Sequence, residues 1–98
     1  MKTPPEFDAI FHQPVRTRLC LLLHVKAHSF SEIKTKLKIT DGNLDAHLKK
    51  LSAAGYLHSE MVIKNRPQTI YELSETGSKA FGKYLAVLQK SLDFTAKC

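Results

Sequence analysis

TDGNLDAHLKKLSAAGYL, residues Thr40–Leu57, decides how the rest of the chain is read. Leu44, Leu48 and Leu51 recur at i, i+4 and i+7, which puts them on one helical face. Thr40 stands where an N-cap is wanted, with Asp41 in the first turn, where an acid complements the helix dipole. Gly55 stops the helix. With 100° per residue and Leu44 at the centre of the buried face, Gly42, Ala46 and Ala53 point almost directly away from it. Asn43 and Lys50 flank them on one side, Asp45 and Lys49 on the other. The outward face is therefore small and polar, and it carries one acid, Asp45.

Upstream, HSFSEIKTKLKIT reads as a shorter helix. Ser31 is the expected N-cap, Glu32 lies in the first turn, and Ile33 and Leu37 form the buried pair. Lys34, Lys36 and Lys38 face outward. Two short helices joined by the turn Ile39–Thr40 make a helix-turn-helix over residues 31–54. Downstream of Gly55 the period changes to two. Leu57, Ser59, Met61 and Ile63 alternate with His58, Glu60, Val62 and Lys64, and TIYEL follows the turn KNRPQ. This predicts a β-hairpin over 56–73 with a basic tip at Lys64 and Arg66.

Toward the N-terminus, Pro14 suits the first position of a helix over 14–27. Val15, Leu19, Leu22 and Leu23 form a stripe, with Cys20, Leu21 and Val25 filling much of the remaining circumference. Such a helix is expected at the centre, apolar nearly all round. Phe7, Ile10 and Phe11 predict a short helix over 6–13. Ser74 caps a final helix over 74–93 bearing Phe81, Tyr84, Leu85, Leu88 and Leu92. That stripe is wide for a small core. Together with Phe7, Ile10 and Phe11 it is expected to supply a homodimer interface.

The 98 residues suffice for one domain, 1–98, mainly α with a small β-hairpin. A chain of this size buries only about two thirds of its unfolded surface, so dimerisation would add useful burial. The net charge of +6 favours a polyanionic partner. The opening residues lack the apolar core of a signal peptide, and the longest apolar run, Leu19–Leu23, is too short to span a bilayer. No membrane partner is expected. Cys20 and Cys98 make no disulfide framework, and both fit a reducing cytoplasm.

In this order of elements the chain resembles the small stand-alone winged helix-turn-helix transcriptional regulators of prokaryotes, akin to the MarR and ArsR groups. HQPVRTRL (12–19) is similar to the family's opening. TDGNLDAHLKKLSAAGYL is similar to its recognition helix, and RPQTIYELSETGSKAF (66–81) to its second wing strand and last helix. The resemblance spans roughly residues 6 to 90. It implies a homodimer on double-stranded DNA with a pseudo-palindromic operator. Helix 41–53 would enter the major groove, and the wing tip, 63–68, would lie near the minor groove. The residues expected at DNA are Gly42, Asn43, Asp45, Ala46, Lys49, Lys50, Lys64, Arg66 and Lys34. Asn43 suits an adenine edge, while the lysines suit phosphates. Asp45 departs from the small hydroxyl residue more usual there. It can accept from a cytosine amino group or pair with Lys49 at i+4, and the local pair is the favoured reading. His47 is expected to orient the helix rather than to catalyse.

Other classes fare less well. His24 and His28 have a chelating i, i+4 spacing, but HVKAH lacks the glutamate of the zinc-protease motif. No metal or cofactor is expected. The sequence offers no phosphate-binding glycine loop and no nucleophile with a plausible base, so an enzyme is not expected. The competing reading is a winged helix that binds only protein.

Overall fold

The structure is a computed structural model; it describes residues 8–97, with side chains described through residue 93. Helix α1 spans Pro14–Val25, strand β1 His28–Ser29, helix α2 Phe30–Leu37 and helix α3 Asp41–Ala53. Strands β2, Leu57–Lys64, and β3, Arg66–Leu73, form the hairpin, and helix α4 runs Glu75–Lys97. The antiparallel sheet has the order β1-β3-β2, which leaves β2 at an edge. This is the winged-helix architecture, with four helices and a three-stranded sheet among the described residues.

The first differences from the sequence reading lie around Pro14. Residues 9–11 form a turn rather than part of a helix over 6–13. The Phe11 amide donates to the Asp8 carbonyl, and the Asp8 carboxylate accepts from the Ile10 amide. The cause is local. Proline at the first helical position drives the residue before it out of helical geometry. Gln13 accordingly sits at φ −146°, ψ 127°, and its side chain caps α1 by accepting from the Arg16 amide. Phe7 lies outside the described residues.

Helix α1 ends at Val25, two residues before the expected boundary, and it is not buried all round. Leu19, Cys20 and Leu23 are inside, whereas Leu21 and Val25 are 45% and 80% exposed. A domain this small has too few layers to cover both sides of a central helix. Because α1 stops at Val25, His28 is on β1 rather than one turn along from His24. The single-helix geometry required for a His24–His28 chelate is therefore missing.

The cap of α2 also differs. Ser29, not Ser31, caps it, in a reciprocal capping box with Glu32. Two serines flank Phe30, but only Ser29 has a glutamate three residues on. Two hydrogen bonds from Ser29, through its backbone and its hydroxyl, hold the Glu32 carboxyl below the usual range. Lys38 closes α2 in the left-handed region, φ 55°.

Helix α3 follows its sequence reading closely. The Thr40 hydroxyl accepts from the Asn43 amide at 3.2 Å. At the far end, the Gly55 amide donates to Ser52 and the Tyr56 amide to Leu51, with Gly55 at φ 79°. This pair of bonds is a Schellman ending, for which glycine is the favoured residue. Leu44, Leu48 and Leu51 are 0–4% exposed and pack with Leu19, Leu23, Ile33, Phe11 and Phe81.

The aromatic centre of that core corrects the interface expectation. Phe11 stacks on Tyr56 at 5.1 Å, meets Phe81 edge-on at 5.1 Å and lies 5.7 Å from Tyr84. Phe11, Phe81 and Tyr84 are 0–3% exposed within a single chain. They cannot offer surface to a second copy. Ile10, Leu85 and Leu88 are half-buried against the same core, and among the described members of the set Leu92 alone is well exposed, at 57%.

Candidate nucleic-acid interface

Because Leu44, Leu48 and Leu51 are committed to the core, the rotation of α3 is fixed. Gly42, Asn43, Asp45, Ala46, Lys49 and Lys50 are all exposed on its other side. Lys34 on α2 and Lys64 and Arg66 on the hairpin are exposed as well. The candidate residues on α2, α3 and the hairpin tip are thus each open to solvent.

The acids of α3 have partners. Asp45 binds Lys49 at 2.9 Å, the local i, i+4 pair. The Asp45 carboxylate holds the Lys49 ammonium above its usual range, through a hydrogen bond first and its charge second. Asp41 binds Lys34 at 2.8 Å and so ties α2 to α3 across the turn. Both pairs are solvent-exposed, and water screens such pairs so that each contributes little. A phosphate can therefore compete for either lysine at small cost. Lys50 has no carboxylate within ion-pair distance among the described residues.

Arg16 sets the position of α3 from behind. Its Nε donates to the Ile10 carbonyl at 2.7 Å, and its Nη1 lies 3.2 Å from His47 Nδ1. A guanidinium only donates, so Nδ1 must accept and the His47 ring is neutral in this contact. Burial, then the charges of Arg16 and Lys50, push the His47 pKa below its ordinary value of 6.5. His47 thus joins α3 to α1 and to the N-terminal turn. The sequence had marked His47 as helix-orienting; its partner, 31 positions away, had no local signal.

A pH prediction follows from the sign of that shift. The folded protein binds fewer protons than the unfolded chain between the two His47 pKa values. The stability from neutral His47 is complete above about pH 6.5 and is lost as pH falls through the depressed folded value. Urea midpoints of the wild type should drop on acidification from about pH 7.5 to about pH 5.5, and drop less in His47→Gln. Equal drops in both would assign the effect to other groups.

The hairpin is joined to α2 at its base. Tyr71 on β3 packs beside Phe30, with ring centroids 6.5 Å apart. Burial, assisted by the Asp45 charge, raises the Tyr71 pKa. The tip turns at Asn65, φ 65°, between the paired Lys64 and Arg66. Asparagine tolerates this left-handed conformation better than most residues. Ser74 locks the other end: its hydroxyl donates to the Gly55 carbonyl at 2.7 Å and accepts from the Gly77 amide at 2.9 Å.

Cys20 is buried among these helices, and burial pushes its thiol up to about 12, with Arg16 pulling weakly the other way. It stays protonated at neutral pH, which makes it a poor nucleophile or redox sensor. Among the described residues, no group of three or more histidine, cysteine or acidic side chains is arranged to hold a metal ion. No described helix is long and apolar enough to cross a membrane.

The geometry agrees with comparisons to known proteins. The chain is 40% identical over 85 residues to an uncharacterised protein of Methanocaldococcus jannaschii, covering 84% of this chain and 92% of that one. A transcriptional regulator homologue from Pyrococcus horikoshii superposes with a TM-score of 0.84 at 30% identity, over 90% of this chain and 89% of that one. A MarR-family regulator from Enterococcus faecalis, 19% identical, shares the fold with a TM-score of 0.82, over 91% and 82% of the two chains. The matching family and the neighbouring structures are DNA-binding domains and transcriptional regulators, not enzymes. The family profile described as the winged helix DNA-binding domain matches residues 15–92, and the chain belongs to that family.

Proposed function

We propose that this chain is a dimeric transcriptional regulator that reads a pseudo-palindromic operator in double-stranded DNA. Helix α3 enters the major groove, and the hairpin lies against the neighbouring minor groove. The observation that carries the reading is the division of α3: Leu44, Leu48 and Leu51 anchor it while every outward residue from Gly42 to Lys50 stays open to solvent. Gly42 and Ala46 permit close approach to base edges. Asn43 pairs with an adenine edge, and Lys50, Lys49 and Lys34 meet phosphates, the last two by exchanging their aspartate partners for DNA. Lys64 and Arg66 hold the wing against the backbone. Two copies with half-sites one helical turn apart, about 34–36 Å, satisfy the symmetry. The half-buried Ile10, Leu85 and Leu88 and the exposed Leu92 supply the second-copy contact in this reading. A cytoplasmic location suits a DNA-binding partner.

Two substitutions separate base reading from phosphate contact. Asn43→Ala should cost about 1–3 kcal/mol on an operator selected from a random pool and little on random duplex. Equal losses on both would remove Asn43 from base readout. Arg66→Ala should weaken binding to all sequences alike and reduce the salt slope by about one unit. An unchanged slope would place the wing off the DNA.

A further inference from the structure

The cross-strand register sorts the hairpin side chains into two faces. Leu57, Ser59, Met61 and Ile63 of β2 share one face with their partners Leu73, Tyr71, Thr69 and Pro67. Near the core this face is put to use: Leu57, Tyr71 and Leu73 pack against the buried cluster. Its outer half leaves the core behind but keeps three apolar residues beside Thr69. Met61 is 68% exposed and Ile63 78% exposed, and Pro67, directly opposite Ile63, is exposed too. Six residues separate Ile63 from Leu57, about 20 Å of strand, so nothing in the core can cover it. Packing therefore gives no reason for an isoleucine there.

The surroundings point to an occupant. Lys64 and Arg66 are the next pair outward, and alternation places them on the opposite face of the same tip. The tip thus combines an apolar edge with two cations, and its apolar side continues the face on which Tyr71 packs against the core. Cations that grip phosphates, next to isoleucine or proline, are the composition used to pry apart a base step from the minor groove. The minor groove is only about 6 Å wide, so a hairpin tip must open it to enter.

We propose that the Ile63–Pro67 pair is an apolar wedge that the wing inserts at a flexible base step, bending the duplex by an amount in the range of about 20–90° toward the major groove. The inference rests on the DNA-binding reading above and adds deformation of the DNA to it. Lys64 and Arg66 hold the tip on the backbone while Ile63 displaces stacking. Pyrimidine–purine steps such as TA cost least to unstack, so the wedge gives sequence preference without hydrogen bonds to bases.

The test uses the full chain and a duplex of alternating dA and dT, about 30 base pairs long, labelled at both ends with a fluorescence energy-transfer pair. Binding is followed by anisotropy and bending by transfer efficiency at saturation. The wild type should bind in a salt-dependent manner and raise the transfer. Ile63→Ser should keep the salt slope, since no charge is lost, and lose most of the transfer change. Ile63→Phe should keep the transfer. Ile63 is largely exposed, so both variants should match the wild type in urea unfolding. Binding without any change in transfer, or Ile63→Ser bending as the wild type does, would overturn the wedge and leave the DNA-binding reading intact. Loss of self-association in Ile63→Ser with bending retained would assign the strip to contact with a second copy and likewise overturn the wedge. A wild type that does not bind the duplex would overturn the reading and the wedge together.

Discussion

Replacing Phe11 by alanine should destabilise the protein by about 3–5 kcal/mol, measured by urea unfolding. The ring is fully buried and touches Tyr56, Phe81 and Tyr84. Its removal leaves a void bounded by α4, α1 and the first residues of the hairpin, none of which can close without moving the others. A domain with a typical total of about 5–15 kcal/mol would keep little after that loss. The experiment also decides between two homes for the residue. In the core of one chain, Phe11→Ala lowers the unfolding free energy and leaves the concentration range of self-association where it was in whatever protein remains folded. At a subunit interface it would shift self-association by sedimentation and leave the folded protomer nearly as stable. A loss below about 1 kcal/mol would contradict the aromatic core described above.

Gly77→Ala should cost about 2–3 kcal/mol, although it adds a single methyl group in the first turn of a helix. A Cβ at Gly77 would lie 2.2 Å from the Tyr56 carbonyl oxygen and 2.8 Å from two further Tyr56 backbone atoms. Backbone cannot swing aside as a side-chain end can. The same carbonyl accepts from the Ser74 amide at 2.9 Å, so retreat would also break a bond that starts α4. Gly82, five residues along the same helix, has nothing within 4 Å of the equivalent position. Gly82→Ala should therefore change stability with the opposite sign, gaining about 0.5–1 kcal/mol from the lower backbone entropy of the unfolded chain. Thermal unfolding of the two variants side by side reads the difference directly. Similar effects of the two substitutions would mean that α4 does not approach Tyr56 this closely.

The contrast between Gly77 and Gly82 shows what the sequence could convey. Both are single glycines in an otherwise helical pattern, and only the fold distinguishes them. Features set within one turn of chain were legible. Thr40, the three leucines and Gly55 specify α3 by local capping and periodicity, and the Asp45–Lys49 pair follows from i, i+4 spacing. The change to period two marked the hairpin. Features that depend on which surfaces meet were not legible. The stripe Phe81, Tyr84, Leu85, Leu88 and Leu92 shows that α4 has an apolar face, but periodicity does not say whether the cover is the same chain or another. One local feature also escaped: Ser29 and Ser31 compete for one cap, and the glutamate three positions after Ser29 resolves them. Strand β1 has two residues, too few for any alternation. The expected α1, apolar all round, failed because composition around a helix does not reveal how many layers exist to cover it.

The candidate DNA surface was legible for the same local reason: fixing the buried face of α3 fixes the outward one. What sequence alone did not provide was the support behind it. Arg16 reaches His47 across 31 positions, and the Tyr56 hydroxyl donates to Asp8 across 48. These contacts hold α3 and the hairpin base in register with the N-terminal turn, and they follow from the fold rather than from a motif.

The most direct test of DNA binding through α3 and the wing is a titration of the whole protein against duplex DNA at several salt concentrations. If Lys34, Lys49, Lys50, Lys64 and Arg66 meet phosphates, the logarithm of the association constant falls linearly with the logarithm of salt. Each phosphate contact contributes about 0.9 to the slope, and charge removal at these positions flattens it. Binding that is absent, or that does not respond to salt, would contradict the account and favour a protein partner for this face.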